Sequence, residues 1–312
     1  MNIQQFFYVL AVAEHLHFER AAEHCYISQS TLSTMISKFE DEIGIKIFDR
    51  KTKPVTVTKE GRLIINQLKQ ITYEISQLEE LTKEIKGEVK GLIKIGCIHT
   101  VAPFLLPNFL QDFATRYPDL QIQIKENSTN SIVRQLKSRD LDIGIVSPPL
   151  HDPELKEYPL YNEEFVYFDL SKPAAGKIMP EDMNTENFWL MEESHCMRSQ
   201  VVNICDLDNN NPFSGNNIHF KAGSIDSLIR FTHASRGKTL LPLLSLTDFS
   251  PDDRKFIHFF KEPAPFRQIE LVTHEHFVKH KILKLISREI QLKITPELLY
   301  IKASFESDFG KE

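Results

Sequence analysis

The chain has 312 residues, enough for two or three domains that each bury a core of their own. Its 41% hydrophobic and 26% charged residues are ordinary for a soluble globular protein, no apolar run is long enough to cross a bilayer, and a net charge of −6 argues against a surface coated for non-specific nucleic-acid binding. Four cysteines (Cys25, Cys97, Cys196 and Cys205) in so long a chain exclude a disulfide scaffold, and with no CxxC pair and no zinc-finger spacing neither a metal nor a cofactor is expected.

The opening segment has no basic stretch and no small-residue cleavage site, and Glu14, His15 and His17 interrupt it. It does not read as a secretory signal, so the expected location is the cytoplasm. Residues 3–13 place Ile3, Phe6, Phe7, Leu10 and Ala11 at helical spacing. A second short helix opens at Phe18, with Ala21 and Ala22 small enough for close helix packing. Ser28 is suited to cap a third helix to about Glu42, with Leu32, Met35, Ile36 and Phe39 inward, and Gly44 stops it. Residues 45–58 alternate and hold a proline, which reads as a two-stranded wing; Arg50, Lys51 and Lys53 form its basic cluster. Residues 59–86 form one long helix with Leu63, Ile64, Leu68, Ile71, Ile75, Leu78, Leu81 and Ile85 in a stripe. Such a helix, with no globular core beside it, usually packs on a copy of itself.

Gly87 and Gly91 mark a linker, after which strands alternate with helices. Strands are expected at 91–98, 121–126, 141–147, 164–170, 188–192, 218–222, 239–243 and 269–274. Helices are expected at about 103–116, 130–138, 195–204, 225–234 and 275–293. This alternation predicts an α/β domain on an open, mainly parallel sheet covered on both faces. Residues 209–217 read as a polar loop, and the tail from about Pro296 as loosely attached.

In residues 18–42 a tight turn joins two short helices, and Ser28-Gln29-Ser30-Thr31 heads the second. Its outer face shows Gln29, Ser30, Ser33, Thr34, Ser37 and Lys38, side chains that suit base edges and phosphates in a major groove. Arg50 on the wing is placed to reach the adjacent backbone or minor groove. The same residues also fit a plain solvated helix in a small bundle. The segment FERAAEHCYISQSTLSTMISKFEDEIGIKIFDR resembles the signature of LysR-type regulators: alanines in the second helix, Ser-Gln-x-x-Leu-Ser, then Leu-Glu-x-x-Leu-Gly and Leu-Phe-x-Arg. Phe39 and Ile43 stand in the leucine places, and Ile47-Phe48-Asp49-Arg50 carries the last element. Ser30 stands where proline is commonest, which bears on base preference rather than fold. The resemblance spans essentially the whole chain. It implies a winged helix-turn-helix DNA-binding domain (1–58), a linker and dimerisation helix (59–87) and a periplasmic-binding-protein-like regulatory domain (88–312). The last would have two lobes, 88–163 with 268–300 and 164–267. Double-stranded DNA, RNA polymerase and a second copy, usually in a tetramer, are the implied partners.

In an open α/β sheet, ligands sit at the carboxyl ends of strands against helix N-termini. Thr100, Thr129 and the pair His195-Cys196 all fall at such places. A helix N-terminus with His195 and Arg198 close by favours the thiolate form of a cysteine. Cys205 follows nine residues later. If the segment is helical, the two Cα atoms lie roughly 13 Å apart on opposite faces, whereas a disulfide needs about 7 Å or less. Bridging them would require unwinding, so oxidation would force a conformational change. Two unrelated, inert thiols fit the spacing as well.

The segment 189–205, WLMEESHCMRSQVVNIC, is similar to the sensing segment of the peroxide-responsive members of the LysR-type family, as are TVAPFLLP (100–107), IHFKAGSIDSL (218–228) and KTLLP (238–242). That resemblance implies a peroxidatic Cys196, a resolving Cys205 and a peroxide pocket of His195, Thr100 and Thr129. A reversible Cys196–Cys205 disulfide would activate oxidative-stress genes, with hydrogen peroxide as oxidant and a thioredoxin- or glutaredoxin-type protein as reductant. Ser194 stands where glycine is usual, at the pocket mouth, and Cys25 and Cys97 read as structural. Three other classes compete. One is a LysR-type regulator of a small organic effector, with the cysteines incidental. Another is a thiol peroxidase carrying a DNA-binding domain. The third is a metal sensor, disfavoured because adjacent His195 and Cys196 point apart; His274, His276 and His280 read as a solvated helix face.

Overall fold

The computed structural model describes the chain apart from residues 53, 151, 193–194, 206–219, 248 and 310–312, with side chains described as far as residue 305. Lys53, Ser194, the loop 209–217 and the start of the strand expected at 218–222 therefore lie outside the described residues. The chain forms two compact units, Met1–Lys86 and Gly87–Glu312.

In the first unit α1, α3 and α4 are each started by a side chain that satisfies a free backbone N–H. Asn2 accepts from Gln5 N–H and opens α1 (Ile3–His15). α2 (Phe18–His24) follows, then α3 (Gln29–Ile43), where Ser28 Oγ accepts from Thr31 N–H at 3.2 Å. Gly44 ends α3 in the left-handed region at φ 69°, where side chains other than glycine's are strained. The wing is short, with β1 (Phe48–Asp49) antiparallel to β2 (Thr56–Val57). Thr58 then caps α4 (Lys59–Ile85) by accepting from Gly61 N–H. Gly61 is required by close approach, because a Cβ there would lie 2.3 Å from the Ile47 carbonyl oxygen. Val9, Val12, Ala21, Leu32, Ile36, Phe39 and Ile47 form the core, each large apolar member contributing about 1.5–3 kcal/mol. Only the first half of α4 joins it, through Ile65 and Leu68; Leu63, Leu78, Leu81 and Ile85 are exposed.

The second unit begins with β3 (Gly91–Ile98), α5 (Ala102–Arg116), β4 (Leu120–Asn127), α6 (Thr129–Lys137) and β5 (Ile143–Val146). The long β6 (Leu155–Asp169) follows, then β7 (Leu190–Met191), α7 (Cys196–Ile204), β8 (Lys221–Ala222), α8 (Ile225–Ser235) and β9 (Lys238–Pro242). α9 (Pro251–Arg254), β10 (Ile257–His258), β11 (Phe266–His274) and α10 (His280–Phe309) complete it. A seven-stranded sheet runs β10-β6-β11-β5-β3-β4, with β9 also paired to β6.

The expectation of a mainly parallel sheet is corrected. Within the seven-stranded sheet β3 is parallel to β4 and β5, but β6 is antiparallel to β9, β10 and β11, and β11 is antiparallel to β5. The cause is β6, of which only residues 164–169 were expected. Its first ten residues pair β11 and its last five pair β9, so one strand serves two groups of partners. Pro159 is accommodated at a register irregularity opposite Ile269 and Glu270.

The tail from Pro296 is likewise not loose. α10 continues through that proline, and Ile301 and Phe305 are buried beyond it. Arg254 lies over the Phe305 ring at 4.6 Å, and Lys302 pairs with Glu164 at 2.7 Å. Tertiary packing outweighs the backbone hydrogen bond that a mid-helix proline forfeits. The three histidines share no helix face: His274 ends β11 and is buried, His276 lies in the turn after it, and His280 opens α10.

Candidate sensor site and nucleic-acid interface

Leu32, Ile36 and Phe39 anchor the inner side of α3, leaving Gln29, Ser30, Thr31, Thr34 and Lys38 exposed and Ser33 half-buried. Ser28 ties the first turn together through Ser30 (2.9 Å) and Thr31 (2.8 Å), while the Thr34 hydroxyl donates back to Ser30 O. Arg50 does more than point outward from the wing. Its guanidinium donates to Ser33 Oγ at 2.9 Å, pairs with Glu40 at 3.4 Å and covers the Phe18 ring at 4.9 Å. Glu40 is buried and accepts from Ile47 N–H (2.8 Å) and Phe48 N–H (3.1 Å), clamping the wing to α3. Gln29, Ser33 and Arg50 thus line one groove, together with His17 and Thr52.

In the second unit the expected site residues stand where the chain leaves parallel strands. Thr100 lies after β3, Thr129 is the first residue of α6 after β4, and His195 is the N-cap of α7 after β7. Cys196 is the first residue of α7 and is half-buried. Four backbone N–H groups at such an end have no helical partner and favour negative charge beside them. Arg198, two residues on, donates to Met191 O at 3.2 Å. His195 is buried. Burial, with a smaller contribution from His99, holds its titration below the ordinary histidine range.

Two site hydroxyls differ in their bonding. Thr129 Oγ1 is buried with no hydrogen-bond partner among the described residues. Buried Thr100 is gripped by Arg267, which donates to its Oγ1 and to its carbonyl oxygen, each at 3.0 Å. Arg267 also pairs with Glu163 at 2.8 Å, and Glu163 accepts in addition from Leu244 N–H at 2.9 Å. Since Thr100 accepts from the guanidinium, its own O–H remains available to donate.

Sequence reasoning missed Arg267, Glu163, His99, Gln200 and Ser147. Arg267 and Glu163 carried a signal, a charge in an apolar strand, which implies a buried partner. His99 follows β3 directly; its ring meets that of His195 at 5.8 Å between centroids, and its Nδ1 lies 3.6 Å from Glu126. Gln200, midway along α7, donates to Ser147 Oγ at 2.8 Å, and Ser147 donates to Gln268 O at 2.7 Å.

The other end of α7 is apolar. Cys205 is its C-cap and packs against the core, and burial pushes its thiol up to about 12. The nine residues from Cys196 to Ile204 are helical, so the two cysteines stand roughly 13 Å apart along the axis. All four cysteines are free, and Cys97 is buried in β3. Among the described residues no group of three or more histidine, cysteine or carboxylate side chains could hold a metal, and no helix is long and apolar enough to cross a membrane.

Residues 3–62 match the family described as bacterial regulatory helix-turn-helix protein, lysR family, and residues 86–286 match the LysR substrate binding domain. The chain is 32% identical over 276 residues (87% of this chain, 90% of the relative) to the hydrogen peroxide-inducible genes activator of Pectobacterium carotovorum. It is 32% identical over 280 residues (87% and 89%) to the DNA-binding transcriptional dual regulator OxyR of Escherichia coli K12. Among solved structures it is similar to a full-length OxyR variant from Pseudomonas aeruginosa, with TM-score 0.74, 26% identity and coverage of 94% of this chain and 98% of that one. A hydrogen-peroxide-bound OxyR mutant from Corynebacterium glutamicum shares the fold at TM-score 0.65 and 24% identity, covering 97% and 95%.

Proposed function

The chain belongs to the LysR family of bacterial regulators, and from that premise we propose that it is a DNA-binding transcription activator switched on by hydrogen peroxide through a reversible Cys196–Cys205 disulfide. The observation that carries this reading is the pair of cysteines at opposite ends of one regular helix, the first beside a buried histidine at a polar helix N-terminus. The unpartnered Thr129 Oγ1 and the free donor of Thr100 suit a small molecule that both gives and takes hydrogen bonds, as peroxide does.

Cys196 Sγ, as thiolate, attacks one peroxide oxygen. An S–O bond forms, the O–O bond breaks, and the departing hydroxide takes a proton to leave as water. His195, Thr100 and Thr129 orient the peroxide and stabilise the charge on the leaving oxygen. The sulfenic acid then condenses with the Cys205 thiol, releasing a second water. A bond of this kind requires Cα atoms within about 7 Å. The α7 segment must therefore unwind, and the Gln200–Ser147 tether must break with it. A thioredoxin- or glutaredoxin-type dithiol reduces the bond and resets the helix.

DNA contact falls to Gln29, Ser30, Thr31, Ser33, Thr34 and Lys38, with Arg50 fixing the wing against α3. The exposed apolar residues of α4 pair with a second copy in a dimer or tetramer working on double-stranded DNA with RNA polymerase in the cytoplasm. The regulatory unit works as two lobes, 88–163 with 268–300 and 164–267. The protein turns over no substrate. Footprinting of reduced and peroxide-treated protein, in the parent and in Cys196→Ser, tests this reading. A changed footprint in the parent alone is expected. A full response in Cys196→Ser would instead mean an organic effector and incidental cysteines.

A further inference from the structure

We propose that His99 is a further positioning residue of the peroxide site, an imidazole clamped between Glu126 and His195 whose own protonation sets how readily Cys196 is oxidised. This inference rests on the peroxide reading above and deepens it. His99 is the last residue before Thr100, and its side chain is about a third exposed (37%), so it exchanges protons with solvent. Buried His195 has little such access. The two rings meet edge to face at 5.8 Å and 65°, and Glu126 stands on His99 at 3.6 Å. A short path of polar groups thus runs from solvent to the residue that precedes the attacking sulfur.

The charged and titratable groups around this pair come from several elements. Glu126 comes from β4, Glu192 from the end of β7, Cys196 from α7, Cys97 from β3 and Arg267 from β11. Cys97 is sealed in the core, and Arg267 is committed to Glu163 and Thr100. Arg198 of α7, held on Met191 O, is a fixed cation, so His99 is the solvent-facing base beside the site whose charge depends on its protonation. When protonated it disfavours a second proton on His195, adding to the burial that already holds His195 below the ordinary histidine range. The same positive charge stabilises the negative charge on Cys196 Sγ before attack. His195 then stays a neutral donor towards the departing oxygen. In that step sulfur loses two electrons to peroxide, and the released hydroxide gains its proton from solvent through this edge of the cleft.

The rate of Cys196 oxidation by hydrogen peroxide, followed by rapid quench and mass spectrometry across pH in the parent, His99→Gln and His99→Gln/Glu126→Gln, tests the proposal. His99→Gln leaves the Glu126 carboxylate uncompensated. It should move the pH profile to the alkaline side and slow oxidation near neutrality by roughly three- to tenfold, with the alkaline plateau kept. The double variant removes both charges and should recover part of that loss. A profile that superimposes on the parent, or slowing equal at every pH and not recovered by Glu126→Gln, would overturn the role of His99 while leaving the peroxide reading intact. If Cys196 of the parent is not oxidised at all, both fall.

Discussion

The two ends of α7 hold the same side chain in opposite surroundings. At the start, half-buried Cys196 is the first residue of α7, directly after buried His195, whose ring meets that of His99, while a buried Arg267–Glu163 pair braces Thr100 at the end of β3. At the finish, Cys205 is packed into apolar core, where burial drives its thiol up to about 12. A helix N-terminus favours negative charge beside it, whereas apolar core disfavours it. On the proposed peroxide mechanism, the difference teaches that the helix is a spacer as well as a scaffold, holding the attacking thiol and its partner apart until oxidation of the first makes unwinding worthwhile.

The largest expected effect concerns reactivity. Because the thiolate is the nucleophile, a shift from 9.0 to about 12 leaves Cys205 alkylated at pH 8 about a thousandfold more slowly than an ordinary thiol, a protection that urea removes. Iodoacetamide labelling followed by peptide mapping measures it, and rapid native labelling of Cys205 would erase the contrast. Next comes the charge that braces the first end. Arg267→Met strands a fully buried Glu163 carboxylate and should lower stability by about 3–5 kcal/mol in urea melts. Pairing it with Glu163→Gln should return much of that loss. At the apolar end, Val202→Ala should cost about 1–3 kcal/mol through a cavity, with no dependence on pH. The smallest effect belongs to the tether between them. Gln200→Ala should cost about 1 kcal/mol and speed disulfide closure after Cys196 is oxidised, as seen by stopped-flow fluorescence.

How much of this was legible beforehand follows the range of the interactions. The caps at Ser28 and Gly44 and the strand from Gly91 to Ile98 act within a few residues, and the sequence pattern marks them. The cysteine spacing marked α7 for the same reason. β6 was half hidden because Lys156, Glu157, Pro159, Glu163 and Glu164 break its apolar alternation. Those residues are tolerated for reasons far away in the chain: Glu163 finds Arg267, Glu164 finds Lys302, and Pro159 sits at a register irregularity. His99 meeting His195, and Gln200 meeting Ser147, are likewise contacts that no local period announces. The long-range polar pairs that shape the site were therefore its least legible part.

The most direct measurement is thiol mapping of the reduced protein after a small excess of hydrogen peroxide, in the parent and in Cys196→Ser. A rapid Cys196–Cys205 disulfide is predicted in the parent, reversed by thioredoxin and absent from the variant, with Cys25 and Cys97 still free. If both α7 thiols stay free, or only Cys25 and Cys97 react, the peroxide switch is contradicted and the regulator answers to another signal.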